Sequence, residues 1–242
     1  MIRYIPNIVT LLNLLSGSIG IQVVVSDPCE RNFFIACLCM YLGAVLDLLD
    51  GLVARMMNTF SELGKVLDSL ADVVTFGLLP TFILIFLIKR TELNFRLAEF
   101  LPYTVVLSSA LRLAKFNTQE SKEKKVVDFV GLPTPASALI ISSFVWIHLE
   151  HTSTQTGFIN LLHPYFLLFI SILMSYLMIS KIQYLSLKKS DCKVSNQFKL
   201  LLVAGMILIV VLFKSYCGIP LLLYYTFLSI IHQKIINGFG CE

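Results

Sequence analysis

Charge is what this chain of 242 residues has least of: 14% of its residues are Asp, Glu, Lys or Arg, against 57% that are hydrophobic. Soluble domains carry about 25% charged residues, so a water-soluble globular domain is excluded. Three runs, at 4–26, 129–149 and 157–180, have no charge at all. Each is long enough for a transmembrane helix, which needs roughly 20 apolar residues. The first run lacks a strong basic stretch before it and a small-residue cleavage site after it, so it is expected to be a first membrane helix and not a secretory leader.

Metal-binding thiols and imidazoles are missing as well. The six cysteines (Cys29, Cys37, Cys39, Cys192, Cys217, Cys241) form no C-x-x-C pair, and Cys37 and Cys39 would point to different sides of a helix. This pattern argues for reduced, structural cysteines. The histidines His148, His151, His163 and His232 show no ligand spacing and fall near span ends, where Trp146 also reads as an interface anchor. The net charge of +4 comes from loop lysines and does not suggest nucleic acid.

What is present is a series of eight apolar segments, near 5–25, 33–55, 68–88, 97–116, 130–149, 160–180, 199–214 and 217–233. The fold class expected is all-α, a polytopic membrane helix bundle. The last two segments are short enough to be either two spans or one re-entrant hairpin. With eight spans, 14 Lys and Arg fall on the side of the two termini and five on the other. Cytoplasmic loops collect these residues, so both termini are expected in the cytoplasm. The loop at 150–163 has no Lys or Arg, as an outer loop should. The stretch SKEKKVVD at 121–128 reads as a solvated cytoplasmic connector, with contact to anionic lipid head groups as the other reading.

Four carboxylates break the apolar pattern. Asp47, Asp50, Gly51 and Ala54 are spaced to share one helix face, and Gly64, Asp68 and Asp72 to share another. Two antiparallel helices joined by the dozen residues at 56–67 can bring the faces together. Acidic residues inside membrane segments are costly and face the bundle interior or a water-filled cavity. Packed together, they need a cation to offset their repulsion. Oxygen-only ligands point to Mg²⁺ or Mn²⁺ more than to Ca²⁺, and four carboxylates have room for two ions. Such a cation beside Gly51 and Ala54 invites a phosphate, and Arg55 can donate charge-assisted hydrogen bonds to it. Two metals can stabilise both the attacking and the leaving oxygen of an in-line displacement.

The stretch DLLDGLVARMMNTFSELGKVLDSLAD fits D-x2-D-G-x2-A-R-x8-G-x3-D-x3-D at every fixed position: Asp47, Asp50, Gly51, Ala54, Arg55, Gly64, Asp68 and Asp72. It resembles the signature of the CDP-alcohol phosphotransferase family. The resemblance implies a six-helix membrane core at 1–180, with the pair at 181–242 added to it, and a site open to the cytoplasm. It implies that Asp47, Asp50, Asp68 and Asp72 bind two divalent cations, Mg²⁺ or Mn²⁺, that Asp72 is also the general base, and that Gly51, Ala54, Arg55 and Ser61 receive the CDP moiety. Family members are often dimers, so a homodimer is also implied as an option.

Further stretches resemble the phosphatidylserine synthase branch: PNIVTLLNLLSG at 6–17, ADVVTFGLLP at 71–80, RLAKFN at 112–117 and FVGLPTPA at 129–136. In RLAKFN, Lys115 stands where that branch has an arginine, and it keeps the charge without the planar fork. The implied substrates are CDP-diacylglycerol, held with its chains in the lipid bilayer, and L-serine. A buried site for serine needs a cation for its carboxylate and acceptors for its ammonium. Arg112, Asn117 and Thr134 are the candidates. The alternatives are the same chemistry with glycerol 3-phosphate or inositol phosphate as acceptor, and, from other classes, a cation transporter or an intramembrane prenyltransferase.

Overall fold

The computed structural model describes residues 5–57, 61–90, 99–120, 129–154, 159–185 and 193–239. The basic connector at 121–128, Cys192 and Cys241 lie outside the described residues. The elements run α1 Ile5–Ser26, α2 Glu30–Met56, α3 Glu62–Asp72, a π-helical segment Val73–Leu78, α4 Leu79–Lys89, α5 Tyr103–Glu120, β1 Phe129–Val130, α6 Thr134–Thr154, α7 Pro164–Ile179, β2 Gln183–Tyr184, α8 Lys193–Phe213 and α9 Gly218–Phe239. Because α3, the π segment and α4 form one continuous rod over Glu62–Lys89, the described residues build the expected all-α bundle, with eight long helices among them. Four of these helices are long and apolar enough to cross a membrane: α1, α2, the Glu62–Lys89 rod and Gln197–Tyr216 of α8 with the turn after it. The protein is an integral membrane protein.

The third span begins at Glu62, six residues ahead of the expected start at 68. Ser61 is its N-cap, with its Oγ accepting a hydrogen bond from the Gly64 amide at 3.0 Å. A cap satisfies amides that have no partner within the helix, so a polar first turn precedes the apolar part. Since α2 runs to Met56, five residues separate the two helices, where the spacing of the charges suggests a dozen. The fourth span is likewise displaced, to Tyr103–Glu120 from the expected 97–116. At the C-terminal end α8 and α9 are full helices of 21 and 22 residues, not one re-entrant hairpin.

The Glu62–Lys89 rod is the centre of the bundle. In its most apolar stretch 72% of the residues are buried, against 6% in α8. Pro80 has no amide proton, and its ring crowds the carbonyl one turn earlier. The wide π segment just before it accommodates both. Around the rod, Ile83, Leu84, Leu87 and Ile88 pack with Val105, Ile141, Phe144, Leu167 and Met174 into one core. Outward-facing leucines on α1, α2 and α8, such as Leu15, Leu48 and Leu200, meet lipid.

α1 lies close against the rod, and α2 does so beside it. A Cβ on Gly17 would sit 2.4 Å from Thr75 Oγ1 and 2.8 Å from its Cα, and one on Gly43 would sit 2.5 Å from Thr75 Cγ2. Small residues allow this approach in a membrane, where association depends on packing and on hydrogen bonds across helices. Ser16 Oγ donates to the Cys39 carbonyl at 2.7 Å, and Thr75 Oγ1 donates to the Asn13 carbonyl at 3.1 Å.

The expected turn at Gly131–Pro135 is present, and its glycine is required. Gly131 has φ +83°, and a Cβ there would stand 2.1 Å from the Met178 carbonyl oxygen. The Gly131 and Leu132 amides donate to the Ile182 and Leu177 carbonyls at 2.9 and 3.0 Å. Antiparallel pairing of Phe129 with Tyr184 and Val130 with Gln183 completes the clasp. At the opposite end of the bundle Arg90 joins three elements: its Nη1 lies 2.8 Å from His148 Nε2, its Nη2 donates to the Pro28 carbonyl, and its guanidinium lies over the Phe33 ring.

Overpacking a tight seam costs about 1–3 kcal/mol. Gly17→Ala is therefore expected to lower the melting temperature of the detergent-solubilised protein by several degrees, measured by thermal challenge and size-exclusion chromatography. Ser18→Ala, on the exposed side of α1, should leave it unchanged.

Candidate active site

The carboxylates converge because α2 and α3 each present them on successive turns of one face. One carboxylate oxygen from each of Asp47, Asp50 and Asp68 lies within 4.8 Å of the others. Oxygens around a Mg²⁺ at about 2.1 Å stand at most about 4.2 Å apart, so the trio is close to ligating spacing without rearrangement. Asp47 and Asp68 approach within hydrogen-bonding reach of each other. Asp72 is buried, one turn on from Asp68, and its charge acts on those of Asp47, Asp68 and Asp50. Asp68 Oδ1 and Asp72 Oδ1 are buried without a hydrogen-bond partner. Buried acceptors are normally paired, and oxygens left open on two of the four clustered carboxylates fit a bound cation.

Arg112 of α5 is buried, and its charge and that of Asp72 act on each other. Gly51 faces open space, and a Cβ built on it would meet nothing within 4 Å. Its lack of a side chain is not needed for helix packing, so there is room beside the carboxylates. Arg55 is exposed in the last turn of α2, and Ala54 is partly buried beside it. Ser61 is occupied as the cap of α3. Asn117 Nδ2 donates to Ser69 Oγ at 2.8 Å and its carbonyl accepts from Lys65 Nζ at 3.3 Å, so this residue ties α5 to α3. Thr134 is fully buried at the start of α6, with its Oγ1 unpartnered.

α1 adds residues that the charge pattern does not reveal. Thr10 Oγ1 lies 2.6 Å from Asp50 Oδ2 and 3.0 Å from the Pro6 carbonyl, so its one proton can go to either acceptor. Asn7 Oδ1 stands against Gly64, where a Cβ would come within 3.0 Å. Asn13, one turn deeper than Thr10, is fully buried, and both polar atoms of its side chain lack a partner. The signal was available in the spacing of polar residues at 7, 10, 13 and 16 along an uncharged run. It marks a helix face that meets something polar.

A family model described as CDP-alcohol phosphatidyltransferase matches residues 3–176. The chain belongs to the CDP-alcohol phosphatidyltransferase family. It is thus an enzyme of phospholipid biosynthesis. The relatives include a protein of Bacillus subtilis named CDP-diacylglycerol–serine O-phosphatidyltransferase, 32% identical over 189 residues that cover 77% of this chain and 93% of the relative. A protein of the same name in Methanocaldococcus jannaschii is 34% identical, over 74% of this chain and 73% of the relative. An archaetidylserine synthase of Methanothermobacter thermautotrophicus is 35% identical, over 74% and 69%.

Groups that orient metal ligands typically contribute 10- to 100-fold to metal affinity or activity. Thr10→Val should therefore raise by about tenfold or more the Mn²⁺ concentration giving half-maximal thermal stabilisation. A thermal-shift titration in detergent checks this without relying on turnover.

Proposed function

We propose that this phosphatidyltransferase moves the phosphatidyl group of CDP-diacylglycerol to the hydroxyl of L-serine, giving phosphatidylserine and CMP. The observation that carries the reading is the buried Asp72, whose charge interacts both with the Asp47, Asp50 and Asp68 cluster and with Arg112. This supports reading Asp72 as the base and Arg112 as the cation beside a site suited to a diphosphate. The names of the relatives support serine as the acceptor. Asp47, Asp50, Asp68 and Asp72 would hold two divalent cations, Mg²⁺ or Mn²⁺, for which the open carboxylate oxygens are suited. Cations held there would supply charge to offset the diphosphate and the developing charge on the leaving group.

The chain's own groups do the rest. Gly51 and Ala54 leave room for the CDP head, Arg55 pairs with its phosphate, and Ser61 closes the loop side. Arg112 holds the serine carboxylate, with Asn117 and Thr134 lining the approach. Asp72 takes the hydroxyl proton of serine. The freed oxygen forms a bond to the β-phosphorus as the bond from that phosphorus to the bridging oxygen breaks, and CMP departs with the electron pair. Positioning and charge stabilisation dominate such transfers. The excess of Lys and Arg on one side supports cytoplasmic termini and a cytoplasmic site. In this arrangement 1–180 is the catalytic core and 181–242 an added helix pair.

The test is CMP release by the purified protein with CDP-diacylglycerol, Mg²⁺ and one of serine, glycerol 3-phosphate or inositol phosphate. Release with serine is expected, and release with glycerol 3-phosphate but not serine would reassign the acceptor. Asp72→Asn should lower kcat by about 10²–10⁴-fold while Mn²⁺ still stabilises the protein. Arg112→Ala should raise KM for serine more than KM for CDP-diacylglycerol, and equal effects would give Arg112 a structural role. In Gly51→Ala the melting temperature should stay unchanged while KM for CDP-diacylglycerol rises.

A further inference from the structure

Asn13 of α1 is fully buried, and neither polar atom of its amide has a hydrogen-bond partner. A buried polar group left unpaired costs about 1–3 kcal/mol, so an amide held this way in a tight seam points to a ligand. The backbone of the same residue is satisfied, because the Asn13 carbonyl accepts from Thr75 Oγ1 at 3.1 Å. The side chain is placed as firmly: a Cβ on Gly43 would stand 2.8 Å from Asn13 Oδ1. Asn13 therefore sits where α1, α2 and the rod meet, at the level of Gly43 and Thr75.

Contacts on either side fix what lies next to it. One turn of α1 nearer the loop that joins α2 to the rod, Thr10 Oγ1 reaches Asp50 Oδ2 at 2.6 Å. One turn the other way, Ser16 Oγ donates to the Cys39 carbonyl at 2.7 Å. On α2, Asp47 is four residues past Gly43, and on the rod Asp72 is three residues before Thr75. Residues at these intervals share a helix face, so each carboxylate stands one turn from Asn13 on a face that meets α1. Asp72 Oδ1 is buried and unpartnered. The open donors of an amide thus lie one turn from an open acceptor. A turn rises about 5.4 Å, too far for one hydrogen bond and close to the span of two of about 2.8 Å through a single water.

We propose that the Asn13 amide holds one internal water directly beneath the carboxylates, and that this water, donating to Asp72 and Asp47, makes Asn13 a positioning residue for the cation site. Oδ1 rests against Gly43, which leaves the N–H groups of Nδ2 for the water oxygen. A water bound in this way has both protons to give, one to each carboxylate. That makes about three hydrogen bonds, the usual number for a buried water. Each carboxylate then keeps its other oxygen for the cation. A neutral donor suits this floor, since leucine would supply no proton and aspartate would add a fifth negative charge.

This inference rests on the cation-site reading above, and a Mn²⁺ thermal-shift titration of the full-length protein in detergent separates the two. Asn13→Leu keeps the volume and removes the donors. Its Mn²⁺ concentration for half-maximal stabilisation is expected to rise about tenfold or more over wild type. Ser16→Ala is the control, since it removes a hydrogen bond on the same face of α1 one turn further from the carboxylates. It should lower the melting temperature and leave the Mn²⁺ midpoint within about twofold of wild type. Asn13→Asp is a second variant of unchanged shape. Its melting temperature should fall without Mn²⁺ and be largely restored by saturating Mn²⁺, because the added charge adjoins the cation. A midpoint in Asn13→Leu within about twofold of wild type, an equal rise in Ser16→Ala, or a loss in Asn13→Asp that Mn²⁺ does not reduce overturns the inference and leaves the cation site standing. If Mn²⁺ does not stabilise the wild type, the cation reading falls and the inference with it.

Discussion

Repulsion among four carboxylates is the constraint around which this molecule is built. Two ionised groups at the separations found here repel by roughly 3 kcal/mol at an effective dielectric of 20, and the cluster contains several such pairs. A fold that must hold Asp47, Asp50, Asp68 and Asp72 together therefore needs attraction elsewhere. Part comes from Arg112. The rest comes from contacts that fix α2 and the Glu62–Lys89 rod in place whether or not a cation is bound.

α1 makes those contacts. Its inward face carries Asn7, Thr10, Asn13, Ser16, Gly17 and Gly20, side chains small enough for the backbones to meet and polar enough to bond across the gap. Leucine in their place would bury more area, but in a bilayer that gains little, since lipid is equally apolar. The same face does two jobs along its length. Near the site it steadies a ligating carboxylate through Thr10, and deeper down it locks the rod through Thr75. Binding chemistry and packing are therefore hard to separate on this helix.

Much of this was legible in the sequence, and the reasons differ by residue. The eight helices follow from length and hydropathy, because a membrane leaves the backbone few alternatives. The carboxylate site follows from spacing, because a helix converts intervals of three and four into a face. The start of the third span at Glu62 was missed because a polar capped turn carries no hydropathy signal. Thr10 and Asn13 were missed because a hydroxyl or an amide in an apolar run is cheap to write off as tolerated, whereas a carboxylate is not. Asn117 and Ser61 show the converse. Their hydrogen bonds go to Ser69 and to the Gly64 amide, so each has a holding role that spacing alone did not suggest.

The π segment between Asp72 and Pro80 carries a consequence of its own. Each residue added to or removed from an α-helix rotates everything beyond it by about 100°. The wide turn over Val73–Leu78 takes up such a step, so the rod has one rotational phase above it, for the carboxylates, and another below it, for Ile83, Leu84, Leu87 and Ile88. Removing a single residue there would leave both halves helical and apolar, yet turn one of them away from its partners. The chain is thus free to drift in side-chain identity on either half of this rod, but not in its count of residues between Asp72 and Pro80.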